Sequence, residues 1–529
     1  MKDMKRQLIL LAASMTLLCS CKDEVFYEDP YGDGVSSADL VGHEEIILGE
    51  KLEDPYSVKN ITKALASLYP TKAGYLDLRP TTVYVRFLTE NDGQYKALVA
   101  AGLELIDHPV DYAILQEGDY YHDPDIDDDD ITWQYTVVPS GTKFPEGIRY
   151  EILDDCYIPD EESTKGPDGI DWKAVEKEAF RITGNESLYL PETKGAKVHP
   201  EGRITIEDDR ANGGKPFGVA GVKVLCNSFV KFSSAYTDRD GYYSIPKSYS
   251  SKLRYRLVFK NKKGFAIGFN LVLVPASMST LGRGTPEGVS YNVTKDSESK
   301  LFRRCVVNNA AYDYFERCSE NDMDIMTPPS NLRIWIFKGM KFSSSVMMHH
   351  GAFLSDSLVQ DFLGQYAPLV QLFLPDITIG TKGAGDYASL YALTVHEMAH
   401  ASHFSKVGTD YWNHIIRYMI KSFVSSGDVD YGDGNESDAG YCEIGEMWAY
   451  FMEAMMFQER YGGNIPNFGT SFWFHPQILT YLAERGMTRS EIFSALDADV
   501  HGRMQLHERL INLFPDRKTT IDQVFSRYN

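Results

Sequence analysis

The chain has 529 residues, 43% of them hydrophobic and 24% charged, an ordinary globular composition with enough length for three or four domains. Its formal net charge of -22 at pH 7 argues against nucleic acid as a partner, because holding a phosphate backbone needs a basic surface. Composition says nothing sharper about a substrate.

The first residues read as an export signal. Lys2, Lys5 and Arg6 form a basic start, and Leu8 to Leu18 is an apolar run too short to cross a bilayer. Leu18-Cys19-Ser20-Cys21 resembles a bacterial lipobox. The resemblance implies that 1–20 are removed and that Cys21 becomes a lipidated N-terminus, anchored to the membrane by more than the two signals that stable attachment needs. Lys22-Asp23-Glu24 is similar to the surface-export signals of Bacteroidetes lipoproteins, which implies an outer-membrane lipoprotein exposed at the cell surface, with the periplasmic face as the alternative. No later stretch is apolar enough to span a membrane. Residues 21–58, polar and glycine-rich between Tyr27 and Asp54, are expected to be a tether.

Folded structure is expected from Lys59, in an N-terminal α/β domain over 59–195. Thr82 to Phe87 alternates as a strand, Asp92 to Ala101 suits a helix, and Val110 to Ile114 reads as a further strand. The acidic run Asp125 to Asp130 is expected to be a solvated loop, since the regular ligand spacing of a calcium loop is absent. Such a domain serves either as an interaction module or as a pro-region over an active site.

Residues 196–271 change character. Gly218 to Leu225, Ala235 to Pro246 and Arg254 to Phe259 are short alternating strands, with a tight Asp240-Gly241 turn, and predict a β-sandwich. Thr237-Asp238-Arg239-Asp240-Gly241-Tyr242-Tyr243 resembles the T-D-x-x-G-x-Y/F signature of the carboxypeptidase regulatory-like domain, over about seventy residues, an ordinary sandwich size. The resemblance implies a positioning module without catalytic residues.

The remainder, 272–529, reads as a mainly helical α+β domain. Leu301 to Glu320 has helical periodicity; Asn331 to Phe337, Val370 to Leu374 and Ile377 to Ile379 read as strands. Its centre is Val395-His396-Glu397-Met398-Ala399-His400. Positions i and i+4 share a helix face, so His396 and His400 can reach one ion, and imidazole suits zinc. Glu397 lies beside the first histidine, where it can take a proton from a metal-held water and pass it to a leaving amine. The apolar neighbours Val395, Met398 and Ala399 place the motif on a buried helix.

A catalytic zinc needs a third ligand. The metzincin continuation fails, because its glycine position holds His403 and its last histidine position holds Lys406. His403 is expected to support or pack rather than ligate. Downstream, Gly440 to Phe457 is a strongly apolar helix carrying Glu443, Glu446 and Glu453, and a buried glutamate needs a partner or a metal. Glu446-Met447-Trp448-Ala449-Tyr450 resembles the second motif of gluzincins. That resemblance implies Glu446 as third ligand, with Glu443 in reserve and Glu453 either supporting the site or facing solvent. The interval from His400 to Glu446 is longer than in many gluzincins and holds a further helix, Tyr411 to Phe423, and an acidic loop, Gly427 to Asp438.

Pro375 to Gly380 is expected to be the edge strand that pairs with extended substrate, as in zincins. His349 and His350 are placed in a loop, exposed or lining the cleft. No motif selects an oxyanion donor among His475, His501, His507, Tyr461 and Tyr481. Cys156, Cys226, Cys305, Cys318 and Cys442 show no C-x-x-C spacing, and Cys442 is expected to be a buried filler rather than a ligand. Together these readings describe a lipid-anchored zinc metallopeptidase of gluzincin type, with a protein or peptide as substrate. Two alternatives stay open: an inactive zincin-like binding or scaffold lipoprotein, and a zinc hydrolase of a non-peptide substrate.

Overall fold

The computed structural model describes residues 45–73, 77–127, 130–159, 169–190, 198–268, 278–296, 299–319, 324–338, 343–352, 375–426, 431–463 and 472–528. The lipobox with Cys21 and the expected strand Val370 to Leu374 lie outside them. The chain is an α+β protein with several separate sheets and no closed barrel among the described residues.

Structure begins earlier than expected. Strand β1 (Ile47–Lys51) pairs antiparallel with β3 (Tyr112–Gln116), and Ser57 caps helix α1 (Val58–Leu68) by accepting from the Asn60 amide. The tether reading of 21–58 therefore fails for its last part. Ile46 and Tyr56 are buried, and the Tyr56 hydroxyl donates to Glu176 at 2.6 Å. Scattered apolar residues within a polar stretch hid this segment. Strand β2 (Thr82–Leu88) lies between β4 (Gln134–Pro139) and β5 (Arg149–Cys156) in an antiparallel sheet, and helices α2 (Asp92–Ala100) and α3 (Trp172–Ile182) complete the N-terminal unit.

Two four-stranded sheets follow. One has β6 (Glu201–Ile206) between β10 (Tyr242–Ser244) and β14 (Tyr291–Val293), with β7 (Phe217–Gly218) also on β6. The other runs β13 (Met278–Gly284), β11 (Leu253–Val258), β8 (Lys223–Ser228), β9 (Lys231–Tyr236). Ile204, Tyr243 and Val293 of the first and Val224, Cys226 and Tyr255 of the second enter one core.

The turn at 237–243 explains its own sequence. The Thr237 hydroxyl donates to the Val219 carbonyl at 2.6 Å, and Asp238 Oδ1 accepts from the amides of Asp240 and Tyr242. Gly241 has φ 77°, and a Cβ there would lie 2.0 Å from the Ile204 carbonyl oxygen. Gly241→Ala is expected to destabilise the chain by more than about 2 kcal/mol, the left-handed cost plus the overlap. Chemical unfolding measures this; an unchanged midpoint would remove the account of the turn.

The expected boundary at 271/272 is displaced in both directions. Strands β13 and β14 come after it but belong to the two sheets just described. Strand β12 (Phe265–Ile267) comes before it but pairs in parallel with β15 (Leu332–Phe337), which pairs in parallel with β16 (Ile377–Gly380). Strand partners are chosen across the chain, so no local signal marks this exchange. One core cluster runs from Ile204 to Phe525 without a break at the boundary. Helix α4 (Lys300–Arg317) packs against α5 (Tyr387–Ser426), which packs in turn along α6 (Ala439–Tyr461). Helices α7 (Gln477–Glu484), α8 (Arg489–Ser494), α9 (Arg503–Leu513) and α10 (Lys518–Phe525) close the C-terminal side.

Candidate metal centre

Helix α5 is two helices joined at Gly408, whose φ of 81° breaks the first and lets the second, with Tyr411 and Trp412, fold back over it. The first half carries His396, Glu397 and His400; the second half fills the long interval before α6. The expected helix Tyr411 to Phe423 is thus the continuation of the motif helix beyond its break.

Helix α6 runs beside α5 and brings one carboxylate to both histidines. His396 Nε2 lies 3.5 Å from Glu446 Oε2, and His400 Nε2 lies 3.4 Å from Glu446 Oε1. One ligand atom from each of the three residues falls within 4.8 Å of the others, and all three residues are buried. Among the described residues this is the one group of three or more His, Cys, Asp or Glu side chains placed to hold a metal ion. Glu453, two turns further along α6 and also buried, approaches His396 Nδ1 at 3.0 Å. A proton on Nδ1 shared with that carboxylate leaves the Nε2 lone pair directed at the centre, the tautomer a metal ligand requires. Glu453 therefore supports the site rather than facing solvent.

Glu397 is fully buried. Ser345 Oγ lies 2.8 Å from both its Oε2 and its backbone carbonyl, while Oε1 has no hydrogen-bond partner among the described residues. Burial raises its carboxyl to about 7 against the pull of both imidazoles and Ser345. Burial also pushes Glu446 upward, but the two imidazoles outweigh it and hold that carboxyl at about 2. The cluster thus gathers three buried acidic side chains, Glu397, Glu446 and Glu453, with Glu446 against both imidazoles and Glu453 against that of His396. Burying several carboxylates is costly unless a cation compensates them. The donor set, two imidazoles and a carboxylate with one orphaned glutamate oxygen nearby, fits a divalent ion such as zinc.

Glu443, one turn before Glu446, is turned away. Its Oε2 accepts from the Arg503 amide at 2.8 Å at the start of α9, and its side chain pairs with Arg503. His403 is buried against Tyr411 and Trp412, with neither ring nitrogen hydrogen-bonded among the described residues; burial holds it neutral, down to about 3. Cys442 is buried and outside the three-residue group.

The expected substrate-pairing edge is not available. Among the described residues strand β16 is the outer strand of its sheet, but Ser344 caps it: the Ser344 amide donates to Thr378 O at 2.9 Å and the Thr378 amide donates to Ser344 O at 2.8 Å. This segment stands between β16 and the motif helix, reaching Glu397 through Ser345 and receiving the Trp412 indole N–H on the Ser345 carbonyl at 2.7 Å. His350 does not line a cleft either. Its Nδ1 meets Asp376 at 2.9 Å and its Nε2 meets the Ser330 carbonyl, while His349 accepts from Lys96.

The five oxyanion candidates have other partners. Tyr461 donates to Asp208, His507 meets Asp522, His501 stacks on Tyr441, and His475 and Tyr481 lie by Tyr528 and Arg527 respectively. Three nearby residues, Ser345, Tyr431 and Tyr450, carry no role at the site in the sequence reading, although Tyr450 closes the motif that begins at Glu446. Ser345 orients Glu397. Tyr450 packs edge-on to His396 at 4.5 Å, and the buried Tyr431 meets the Tyr450 hydroxyl at 3.0 Å. The run Ser343-Ser344-Ser345 and an aromatic inside the acidic loop were the available signals.

No protein-family model matches the chain, and no curated protein matches it. Among solved structures, an (S)-allantoin synthase is similar over 23% of this chain and 46% of that one, with 13% identity and a TM-score of 0.12. The chain thus covers less than half of that protein, a likeness too slight to bear on fold or function.

Proposed function

We propose that the protein is a zinc-dependent metallopeptidase of gluzincin type, and the observation that carries this is the convergence of His396, His400 and Glu446 beside the orphaned Oε1 of Glu397. His396, His400 and Glu446 would hold the ion, and Glu453 fixes the ring of His396. A bound zinc ion supplies Lewis acidity and makes water a nucleophile near neutral pH. Glu397, held at Oε2 by Ser345, offers Oε1 as the base that takes the proton of the attacking water and returns it to the leaving nitrogen. The buried wall of Trp412, Tyr450 and Tyr431 keeps the proton transfer away from bulk solvent.

In this reading, the two sheets built from β6, β7, β10 and β14 and from β8, β9, β11 and β13 form a carboxypeptidase regulatory-like module, and the helices and the β12, β15 and β16 sheet that carry the metal centre form a zincin-like catalytic domain. The turn at Gly241 supports the first assignment. The lipobox reading places the protein on the outer membrane through lipid at Cys21, facing the cell surface; no helix among the described residues is long and apolar enough to cross a membrane.

The capped edge of β16 favours a second reading, a zinc hydrolase acting on an ester or glycan, because that edge cannot pair with an extended peptide. One assay separates the two. Zinc-loaded protein, starting after Cys21, is incubated with a degenerate peptide library and with ester and glycan panels. Peptide cleavage that stops with a chelator and returns with zinc is the expected result. Chelator-sensitive turnover of the other panels alone would replace the peptidase reading.

A further inference from the structure

At the junction of the N-terminal unit with the β11 sheet lies a cavity of ≈ 40 Å³, lined by Tyr112, Ile114, His108, Asn227, Arg254, Arg256 and Arg283 among others. Three of these are arginines from two neighbouring strands, β11 and β13. Arg256 is only 3% exposed, and its one hydrogen bond among the described residues is to Asn227 Oδ1, at 3.3 Å. Burial, with Arg254 beside it, pulls its guanidinium down to about 10. The carboxylates that act on it are already engaged. Asp107 meets His108 Nδ1 at 2.7 Å through one oxygen and accepts the Tyr121 amide with the other, and Glu117 pairs with Arg254 at 3.5 Å. His108 is 1% exposed, and its Nε2 has no partner among the described residues.

A buried guanidinium without a carboxylate on it, beside two more of like charge, is a costly arrangement that an anion would offset. Guanidinium forks match planar and tetrahedral oxyanions. Water needs a cavity of about 10–15 Å³, so this one has room for a group of several atoms. We propose that the junction cavity, which His108 also lines, is a binding site for one oxyanion group, a phosphate, sulfate or carboxylate, held by Arg254, Arg256 and Arg283. Asn227 orients Arg256 for it. Burial and the neighbouring Arg256 hold the His108 imidazole below its ordinary value, so its Nε2 donates only when the charge of the bound anion draws a proton onto the ring; the group then ties the N-terminal unit to the sheet beneath.

The test is calorimetric titration of the chain starting after Cys21 with sodium phosphate, sodium sulfate, sodium acetate and glycerol 3-phosphate, against sodium chloride at equal ionic strength. Saturable binding of at least one oxyanion at one site per chain is expected, weakened about tenfold or more in Arg256→Met. Because Arg256 is buried, the exposed Arg283→Ala is run beside it and is expected to weaken binding in the same direction, with the fold intact by circular dichroism. Inorganic phosphate binding more tightly than glycerol 3-phosphate would identify a free ion as the ligand; the reverse order would identify the end of a larger molecule. Heats that follow ionic strength alone, or binding unchanged in both variants, would overturn the proposal.

Discussion

Glu397→Gln is expected to abolish turnover, by about 10²–10⁴-fold or more, while the metal stays in place. Glutamine has the same shape and can still meet Ser345 through its amide, so the local packing of a fully buried residue is preserved. What it loses is the basicity of Oε1, the one oxygen of that carboxylate with no partner among the described residues. The ligand set His396, His400 and Glu446 does not include residue 397, so metal content should match the parent. Turnover on whichever substrate the panels return, measured alongside metal content, checks both halves. A variant that keeps parental turnover would remove the proposed base; one that loses metal as well would make residue 397 a ligand.

The second large effect is expected at Glu446. Glu446→Ala removes the carboxylate that faces both Nε2 atoms, and it is expected to weaken metal binding by more than about 100-fold, beyond what loss of a supporting residue costs. Glu443→Ala is the matched control from one turn earlier on the same helix. Its carboxylate accepts the Arg503 amide at the start of α9, so its loss should lower thermal stability by roughly 1 kcal/mol, as loss of a helix cap does, and leave metal affinity alone. Competition with a chromophoric chelator reads the affinities. Equal loss in both variants would mean that α6 must shift to build the centre.

The centre was the most legible part of the chain, for a geometric reason. His396 and His400 are spaced by one helical turn, so their shared face follows from the sequence alone. The choice between Glu443 and Glu446 did not. Both lie on one apolar helix, and what separates them is Arg503, sixty residues away, which draws Glu443 off. Ser345 was hidden in a run of three serines in a segment with no periodicity, although its hydroxyl positions the proposed base. The edge of β16 was read correctly as the border of a sheet, but the Ser344 segment that caps it comes earlier in the chain and carries no strand pattern. The domain boundary failed likewise, since β12 and β13 exchange sheets across it. Patterns with a period along the chain were readable; pairings fixed by distant partners were not.

X-ray absorption at the zinc edge, on dialysed protein starting after Cys21, tests the central claim most directly. The account predicts about one zinc per chain, a nitrogen and oxygen shell at about 2.0–2.2 Å, and outer-shell scattering from two imidazoles. A sulfur shell at about 2.3 Å, which would bring in Cys442, or no retained zinc even after reloading, would contradict it.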